Sequence, residues 1–462
     1  MNDAYRTALR DFYNRSDYER GTISNPFGSD DSAAARGLAR VRALLERLGN
    51  PHSAYPVVHV AGSKGKGSVC AFLSTILTTA GLRTGRFISP HLHTLRERIA
   101  INGEAMSEEN FARSFNRVME ATHEVEQAHP ELGTITAFEI STAMAFEQFA
   151  YADCDIAVIE VGLGGTWDST NVVDPAVSAI ALIDYEHTDI LGDTLAEIAE
   201  NKAGIIKPGR PVVSLAQLPE AMKVIRDTAA RNQARLFVEG EDWGESNDWR
   251  SARFEFEGEV IGPVKLGLTG HHQLRNAGLA VVAALLLHKK FTLDVLTDEQ
   301  RLAIDGAAIE RGLAATSWPA RFEVVTDPDG ATIVIDGAHT GAAAQALVDT
   351  LDQEFPGAQI EFVFGMLGAK DIERMLRQLQ RRSGHIAIVA PSNPRAMTVE
   401  AMAAAAETIG LEAIPEIDLG QAIDHAAHRA GHTGVVVVTG SLSFAAEARA
   451  TLGLAKTERL IS

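Results

Sequence analysis

The sequence predicts an α/β protein of two unequal domains, the larger one first. Three observations predict it. Short apolar runs alternate with stretches of helical period, with no internal repeat and no low-complexity tract. The runs are nearly continuous in apolar residues, as strands are when helices cover both faces of a parallel sheet. The alternation breaks at Trp318-Pro319 and then restarts. A chain of 462 residues has room for two or three domains, and 46% hydrophobic with 22% charged residues excludes a disordered or fibrous chain.

Taken in order, Val57-Val58-His59-Val60 reads as a buried strand. The helix after it has Val69, Phe72, Leu73, Ile76, Leu77 and Ala80 at i, i+3, i+4, i+7 spacing, with Gly81 as its C-cap. Asp155 to Val161 and Val177 to Ile183 are further apolar strands, and Thr194 to Ile206 is a helix. Residues 238–268 are polar, carry two Trp and run into FEFEGEVIGPVKLGL, which predicts a small antiparallel excursion at the edge of the first domain. A helix follows from about Asn276, and 297–320 is helical up to Trp318-Pro319. The boundary falls within 305–318, dividing the chain into residues 1–305 and 306–462. Beyond it TIVIDGAH, QIEFVFGML, HIAIVAPS and GVVVVTGS are four strands ending in small or polar residues. They predict a smaller Rossmann-like α/β domain, with ligands at the carboxyl ends of its strands.

The net charge of −19 speaks against a nucleic-acid or anionic-membrane surface, since both need a basic face. The longest apolar run, Ala277 to Leu287, is too short for a membrane span of ~20 residues. The opening Met-Asn-Asp-Ala-Tyr-Arg has no apolar run, so no signal peptide is expected. Cys70 and Cys154 cannot build a disulfide framework, and a reduced, cytoplasmic protein fits them best.

Chemistry concentrates first in HVAGSKGKGS, residues 59–68. A strand enters a loop with Gly62, Gly65 and Gly67 that carries Ser63, Lys64, Lys66 and Ser68, and a helix starts at once. Such a loop turns backbone N–H groups around a phosphate, a lysine reaches the outer phosphates and a hydroxyl holds Mg²⁺. The match to G-x-x-x-x-G-K-[ST] is imperfect, because Val60 stands at the first glycine and Gly67 separates Lys66 from Ser68. The other reading is an ordinary glycine-rich turn. The flanking strand and helix favour a P-loop ATPase-like first domain.

Between Lys64 and Arg98 lie Lys64, Lys66, Arg83, Arg86, Arg96 and Arg98 against Glu97 alone. This basic island suits polyanions such as ATP and a carboxylated substrate, or it is a solvated helix end. Ser89, Glu160 and His187 stand at strand ends, where a carboxylate, a hydroxyl and waters make a usual Mg²⁺ set. Taken from the residues alone, Glu160 also reads as a surface charge and His187 as a structural histidine. His91-x-His93 and His271-His272 lack zinc spacing. Lys202 is i+7 from Leu195, on the apolar face of its helix, so it either snorkels or is paired or modified. Arg321 and then Asp336-Gly337-Ala338-His339 open the second domain, an Asp placed to hold a ribose and a His to approach a phosphate.

Together these residues resemble the folylpolyglutamate synthase/dihydrofolate synthase family of the Mur ligase superfamily. The motifs run in family order from LERLGNP to VVVVTGSLSF: HVAGSKGKGS, SPHLHTLRERIAINGE, TAFEISTAMAF, VIEVGLGGTWDSTNVV, LGDTLAEIAENKAGIIKPG, TGHHQLRNA, WPARFE and DGAH. The resemblance implies that Gly62 to Ser68 cradle ATP, with Lys66 as the phosphate-loop lysine and Ser68 as a Mg²⁺ or phosphate ligand. It implies Ser89, Glu160 and His187 as metal ligands and Lys202 as a carbamylated lysine near a second Mg²⁺. Asn276, Arg321, Asp336 and His339 would contact ATP, the last three from the second domain, and Lys66, Lys202 and His339 would be the catalytic residues. The sequence departs from the family at Ser63-Lys64, Thr166-Trp167, Asn201 and Thr340.

The implied reaction is ATP-dependent addition of L-glutamate to the γ-carboxylate of tetrahydrofolate through an acylphosphate. The alternative within the family is dihydropteroate receiving its first glutamate, or both activities in one enzyme. SPHLHTLRER and WPARFE set it apart from a peptidoglycan-type Mur ligase. A different class altogether is a non-catalytic, nucleotide-gated binding protein. The family implies a monomer acting on small molecules, with no nucleic acid and no membrane.

Overall fold

The computed structural model describes residues 2–28, 31–289, 296–326, 330–368 and 372–458. Two sheets carry the chain. The first has eight strands: β1 (Val57–Ala61), β2 (Thr84–Phe87), β3 (Ile99–Ile101), β4 (Glu104–Ala105), β5 (Ile156–Glu160), β6 (Val177–Ile180), β7 (Val212–Ser214) and β8 (Leu236–Val238). Their order is β4-β3-β2-β5-β1-β6-β7-β8, parallel from β2 to β8, with β3 and β4 antiparallel at one edge. Every residue of β1, β5, β6 and β7 is buried, which is why their sequences read as continuous apolar runs. β1 lies at the centre, and the cavity described below opens at its carboxyl end.

The helix Lys66–Thr79 follows β1 and packs against the helices His271–His288 and Gly306–Ala315. The last contact is close. A Cβ on Gly312 would lie 2.5 Å from the Ile76 Cα. A three-stranded antiparallel sheet of β9 (Trp243–Glu245), β10 (Ala252–Phe256) and β11 (Glu259–Val264) stands where the polar stretch with two Trp predicts one. Its Trp243, Phe254 and Phe256 point into the core beside the long helix. No helix among the described residues is long and apolar enough to cross a membrane.

The second sheet has six strands, β12 (Glu323–Val325), β13 (Thr332–Ile335), β14 (Ile360–Phe364), β15 (His385–Ile388), β16 (Glu412–Pro415) and β17 (Val435–Thr439), in the order β12-β13-β17-β14-β15-β16. All pairs are parallel except β12 with β13. The fold is therefore the α/β architecture expected, a parallel-sheet first lobe and a separate second one. Two details differ. The segment 297–320 is not one helix but two, Asp298–Ala303 and Gly306–Ala315, because the Asp305 carboxylate accepts from the Ala308 N–H and starts a new helix. The helix expected over 194–206 is shorter, Leu195–Ala203, capped at Gly204.

Candidate active site

Between the lobes lies a cavity of about 1190 Å³, lined by the 62–68 loop from one side and by Arg321, Asp336 and His339 from the other. The loop is held from below. The N–H groups of Ser63 and Lys64 donate to the Leu182 carbonyl at 2.7 and 3.0 Å, and the Ser63 hydroxyl donates to Asp184 O at 2.8 Å. Gly62 has φ 150°, and a Cβ there would meet the Ala181 Cβ at 2.8 Å. Gly65, at φ 91°, is the N-cap of the following helix, and a Cβ there would meet the Asn276 Oδ1 at 2.3 Å. It offers no side-chain acceptor to the first turn of that helix, which leaves the helix dipole and N–H groups for an anion.

Three lysines converge beside the loop. The Lys66 Nζ donates to Gly62 O at 3.0 Å. Lys202 Nζ donates to the same carbonyl at 3.0 Å and to Glu186 Oε1 at 2.7 Å, while Lys64 Nζ lies 3.9 Å from Glu186 Oε2. Lys202 is only 1% exposed, so it is a buried, paired lysine and does not snorkel. Burial lowers its ammonium to about 8, with Glu186 pulling the other way. Burial raises the Glu186 carboxyl, but Lys66, Lys202 and Lys64 outweigh it and hold the group below the usual carboxylate range. The Lys202 helix is clamped by the glycine-rich turn after β5. The Thr166 N–H donates to Asn201 O at 2.7 Å, and a Cβ on Gly165 would lie 2.6 Å from that same oxygen.

Glu160 ends β5 and is 5% exposed, which removes the surface-charge reading. Burial pushes its carboxyl up to about 7, and Lys66, the Ser89 backbone N–H and Arg321 offset this only in part. Its Oε2 lies 3.7 Å from where a Cβ on Gly67 would stand, so the carboxylate faces the first turn that carries Ser68. His187 caps the short helix Thr188–Leu191 with φ 46°, and its Nδ1 is 3.1 Å from the Tyr18 hydroxyl. Burial lowers it, Glu186 raises it, and Lys202 and Lys66 lower it again, which sets the ring beside that cluster. Among the described residues no three His, Cys, Asp or Glu side chains converge as a metal-binding group. Glu160, Ser68 and Ser89 line the same cavity, a carboxylate and two hydroxyls, hard oxygen ligands of the kind Mg²⁺ takes beside phosphates. An incompletely compensated buried carboxylate fits such a cation.

From the second lobe, Asp336 follows β13 with its carboxylate accepting from Phe322 N and Ala338 N, both at 2.8 Å. It thereby clasps the turn that carries Arg321, whose neighbours Ala320 and Phe322 have φ 58° and 47°. His339 Nδ1 donates to Gly337 O at 2.9 Å. Burial lowers His339, the hydrogen bond to Gly337 O raises it and Lys64 of the first lobe lowers it again; both side chains line the cavity. Thr340 caps the helix Gly341–Glu354, its hydroxyl accepting from Ala343 N at 3.3 Å. The structure thus brings every expected site residue into one neighbourhood. Sequence reasoning missed Glu186 and the segment Asp17 to Phe27, which lines the cavity together with Phe138, Leu163 and Trp167. Glu186 had a signal, an acid beside His187 in the loop after β6; the segment had none.

Comparison with known proteins agrees. Residues 60–284 match the Mur ligase middle domain, and residues 320–442 match the Mur ligase, glutamate ligase domain. The chain is 35% identical over 424 residues to the dihydrofolate synthase/folylpolyglutamate synthase of Bacillus subtilis, covering 90% of this chain and 95% of that protein. It is 33% identical over 448 residues to the enzyme of the same name from Mycobacterium tuberculosis, covering 90% of each. Among solved structures, Mycobacterium tuberculosis folylpolyglutamate synthase complexed with ADP superposes with a TM-score of 0.82 at 30% identity, covering 97% of this chain and 98% of that one. E. coli FolC in complex with DHPP and ADP superposes at 0.81 with 27% identity, covering 98% and 99%. The chain belongs to the folylpolyglutamate synthase/dihydrofolate synthase family of Mur ligases. It is an ATP-dependent ligase, which sets aside the reading as a non-catalytic binding protein.

Proposed function

We propose that this ligase joins L-glutamate to the γ-carboxylate of tetrahydrofolate through an acylphosphate. The observation that carries the reading is the single cavity in which a phosphate loop with Lys66 and Glu160 faces Arg321, Asp336 and His339. A substrate carboxylate oxygen attacks the γ-phosphorus of ATP, and the bond to the β,γ-bridging oxygen breaks. The Lys66 ammonium and the first-turn N–H groups stabilise the charge spread over the phosphoryl oxygens, so these residues act by positioning and electrostatics. The glutamate amine then attacks the acyl carbon, and phosphate leaves as the tetrahedral intermediate collapses. Arg321, Asp336 and His339, from the second lobe, contact the ATP phosphates and ribose from the other side of the cavity. Asn276 and the Gly62–Ser68 loop hold the nucleotide.

When bound, Mg²⁺ held by Ser68, Ser89 and Glu160, with a second ion near His187 and Lys202, would withdraw charge from the phosphates. Lys202 is carried as a carbamate. CO₂ reacts with a neutral amine, and the lowering of Lys202 to about 8 supports that form near neutral pH. Glu186 then keeps Lys64 and Lys66 as its cations. The lobes divide within 305–318, at its far end, since the helix Gly306–Ala315 still packs on the first lobe. We place the protein in the cytoplasm as a monomer; its two free, buried cysteines suit a reducing compartment.

A second reading, dihydropteroate as the acceptor of the first glutamate, is favoured by the double name of the Bacillus subtilis relative and by the DHPP complex of the E. coli enzyme. The test is a panel of ATP and glutamate with tetrahydrofolate, dihydropteroate or a murein precursor, read by product mass and phosphate release. Product one glutamyl residue heavier with tetrahydrofolate supports the reading; product with the murein precursor alone overturns it.

A further inference from the structure

The loop that carries Ser89 does more than present that hydroxyl. It is curled around Glu97, whose carboxylate accepts from the N–H groups of Leu92, His93 and Thr94 at 2.8, 3.0 and 2.9 Å. So braced, it reaches across to the second lobe. Leu92 packs against that lobe's apolar core, and His93, 7% exposed, lies between two of its side chains. His93 Nε2 is 2.7 Å from Arg449 Nη1, and Nδ1 is 3.2 Å from the Thr457 hydroxyl. Arginine only donates, so Nε2 accepts, and the proton of the neutral ring sits on Nδ1 and is donated to Thr457.

Arg449 passes the contact on. Its Nε donates to the Glu323 carboxylate at 2.8 Å, and that carboxylate accepts from Ala320 N at 2.8 Å, next to Arg321. The chain after the last helix closes the same junction, with Glu458 N donating to His93 O at 3.1 Å and Leu95 N donating to Glu458 Oε2 at 3.3 Å. An unbroken path of hydrogen bonds therefore joins the Ser89 loop of one lobe to the Arg321 turn of the other.

We propose that His93 is a positioning residue that latches the Ser89 loop to the Arg449–Glu323 pair, so that the two halves of the active site close as one unit. The inference rests on the ligase reading for its kinetic consequence but not for its geometry. Neither nitrogen of His93 faces the cavity contents; the residue acts through Ser89 on one side and Arg321 on the other.

The test uses the full chain with spin labels on Glu104→Cys and Glu407→Cys, exposed positions in the first and second lobes. Distances between them are measured in the presence of a non-hydrolysable ATP analogue. His93→Ala and Arg449→Ala should each broaden the inter-lobe distance distribution, and the double variant should be no broader than either. His93→Gln, whose amide oxygen replaces the Nε2 acceptor, should restore the parent distribution. Where ligation is followed, His93→Ala should lower kcat about tenfold with the KM for glutamate within twofold, and His93→Gln should recover most of it. A distribution for His93→Ala identical to the parent overturns the latch whatever the activity. Failure of the unmutated chain to ligate glutamate would instead overturn the functional reading and leave the distances to decide the latch.

Discussion

The Lys66 ammonium donates to Gly62 O at 3.0 Å, within its own loop, so replacing it is expected to leave the strand and helix on either side intact. Lys66→Ala should lower kcat/KM for ligation by about 10²–10³, the usual cost of removing one preorganised charge contact to a developing anion. Steady-state phosphate release checks it, and near-normal turnover in the folded variant would remove Lys66 from the chemistry. Lys202→Arg should be as inactive as Lys202→Ala, because a guanidinium forms no carbamate and keeps a positive charge where an anion is needed. Intact-mass analysis of the unmutated protein should find one added CO₂ on Lys202. At this scale the sequence was readable where a residue announces its own chemistry: glycines and lysines in one loop, a carboxylate at a strand end. Glu186 was not, since its importance lies in three lysines from two separate segments, Lys64 and Lys66 of the loop and Lys202 of a later helix.

The central strand and its helix invite two tests. His59 on β1 is fully buried, with Nε2 2.8 Å from the Thr170 hydroxyl, and burial lowers it to about 3 from an ordinary 6.5. Its neutral form is the native one. As the pH falls below the unfolded value, the unfolded chain takes up the proton first, and stability is lost. Between pH of about 7.5 and 5.5 this one group should remove about 1 kcal/mol, a share absent from His59→Gln in urea unfolding at the two pH values. Equal pH dependence in both proteins would contradict the burial argument. In the helix Gly306–Ala315, Gly312→Ala places a methyl 2.5 Å from the Ile76 Cα. We expect destabilisation of about 1–3 kcal/mol by overpacking, seen as a lower melting temperature. The strands were legible because a fully buried parallel strand is apolar at every position. The split of 297–320 into two helices was not, because Asp305 acts as a cap only through its side-chain geometry.

For the whole molecule, the account requires both lobes at one nucleotide. Arg321 and Lys66 belong to different lobes yet both bear on Glu160. Arg321→Ala in the full chain should therefore weaken ATP affinity about tenfold in calorimetry, although the phosphate loop is untouched. The order of motifs along the chain made two lobes legible. Their closure was not, because the contacts that join them, Leu92, His93 and Arg449 among others, are single residues with no period or spacing. The most direct test of the central claim follows one oxygen atom. With ¹⁸O in the γ-carboxylate of tetrahydrofolate, together with ATP and L-glutamate, attack of carboxylate on phosphorus followed by attack of the amine on carbon transfers one labelled oxygen to phosphate. We expect inorganic phosphate carrying one ¹⁸O for each glutamate joined; phosphate free of label, released at the same rate without folate or glutamate, would contradict the account.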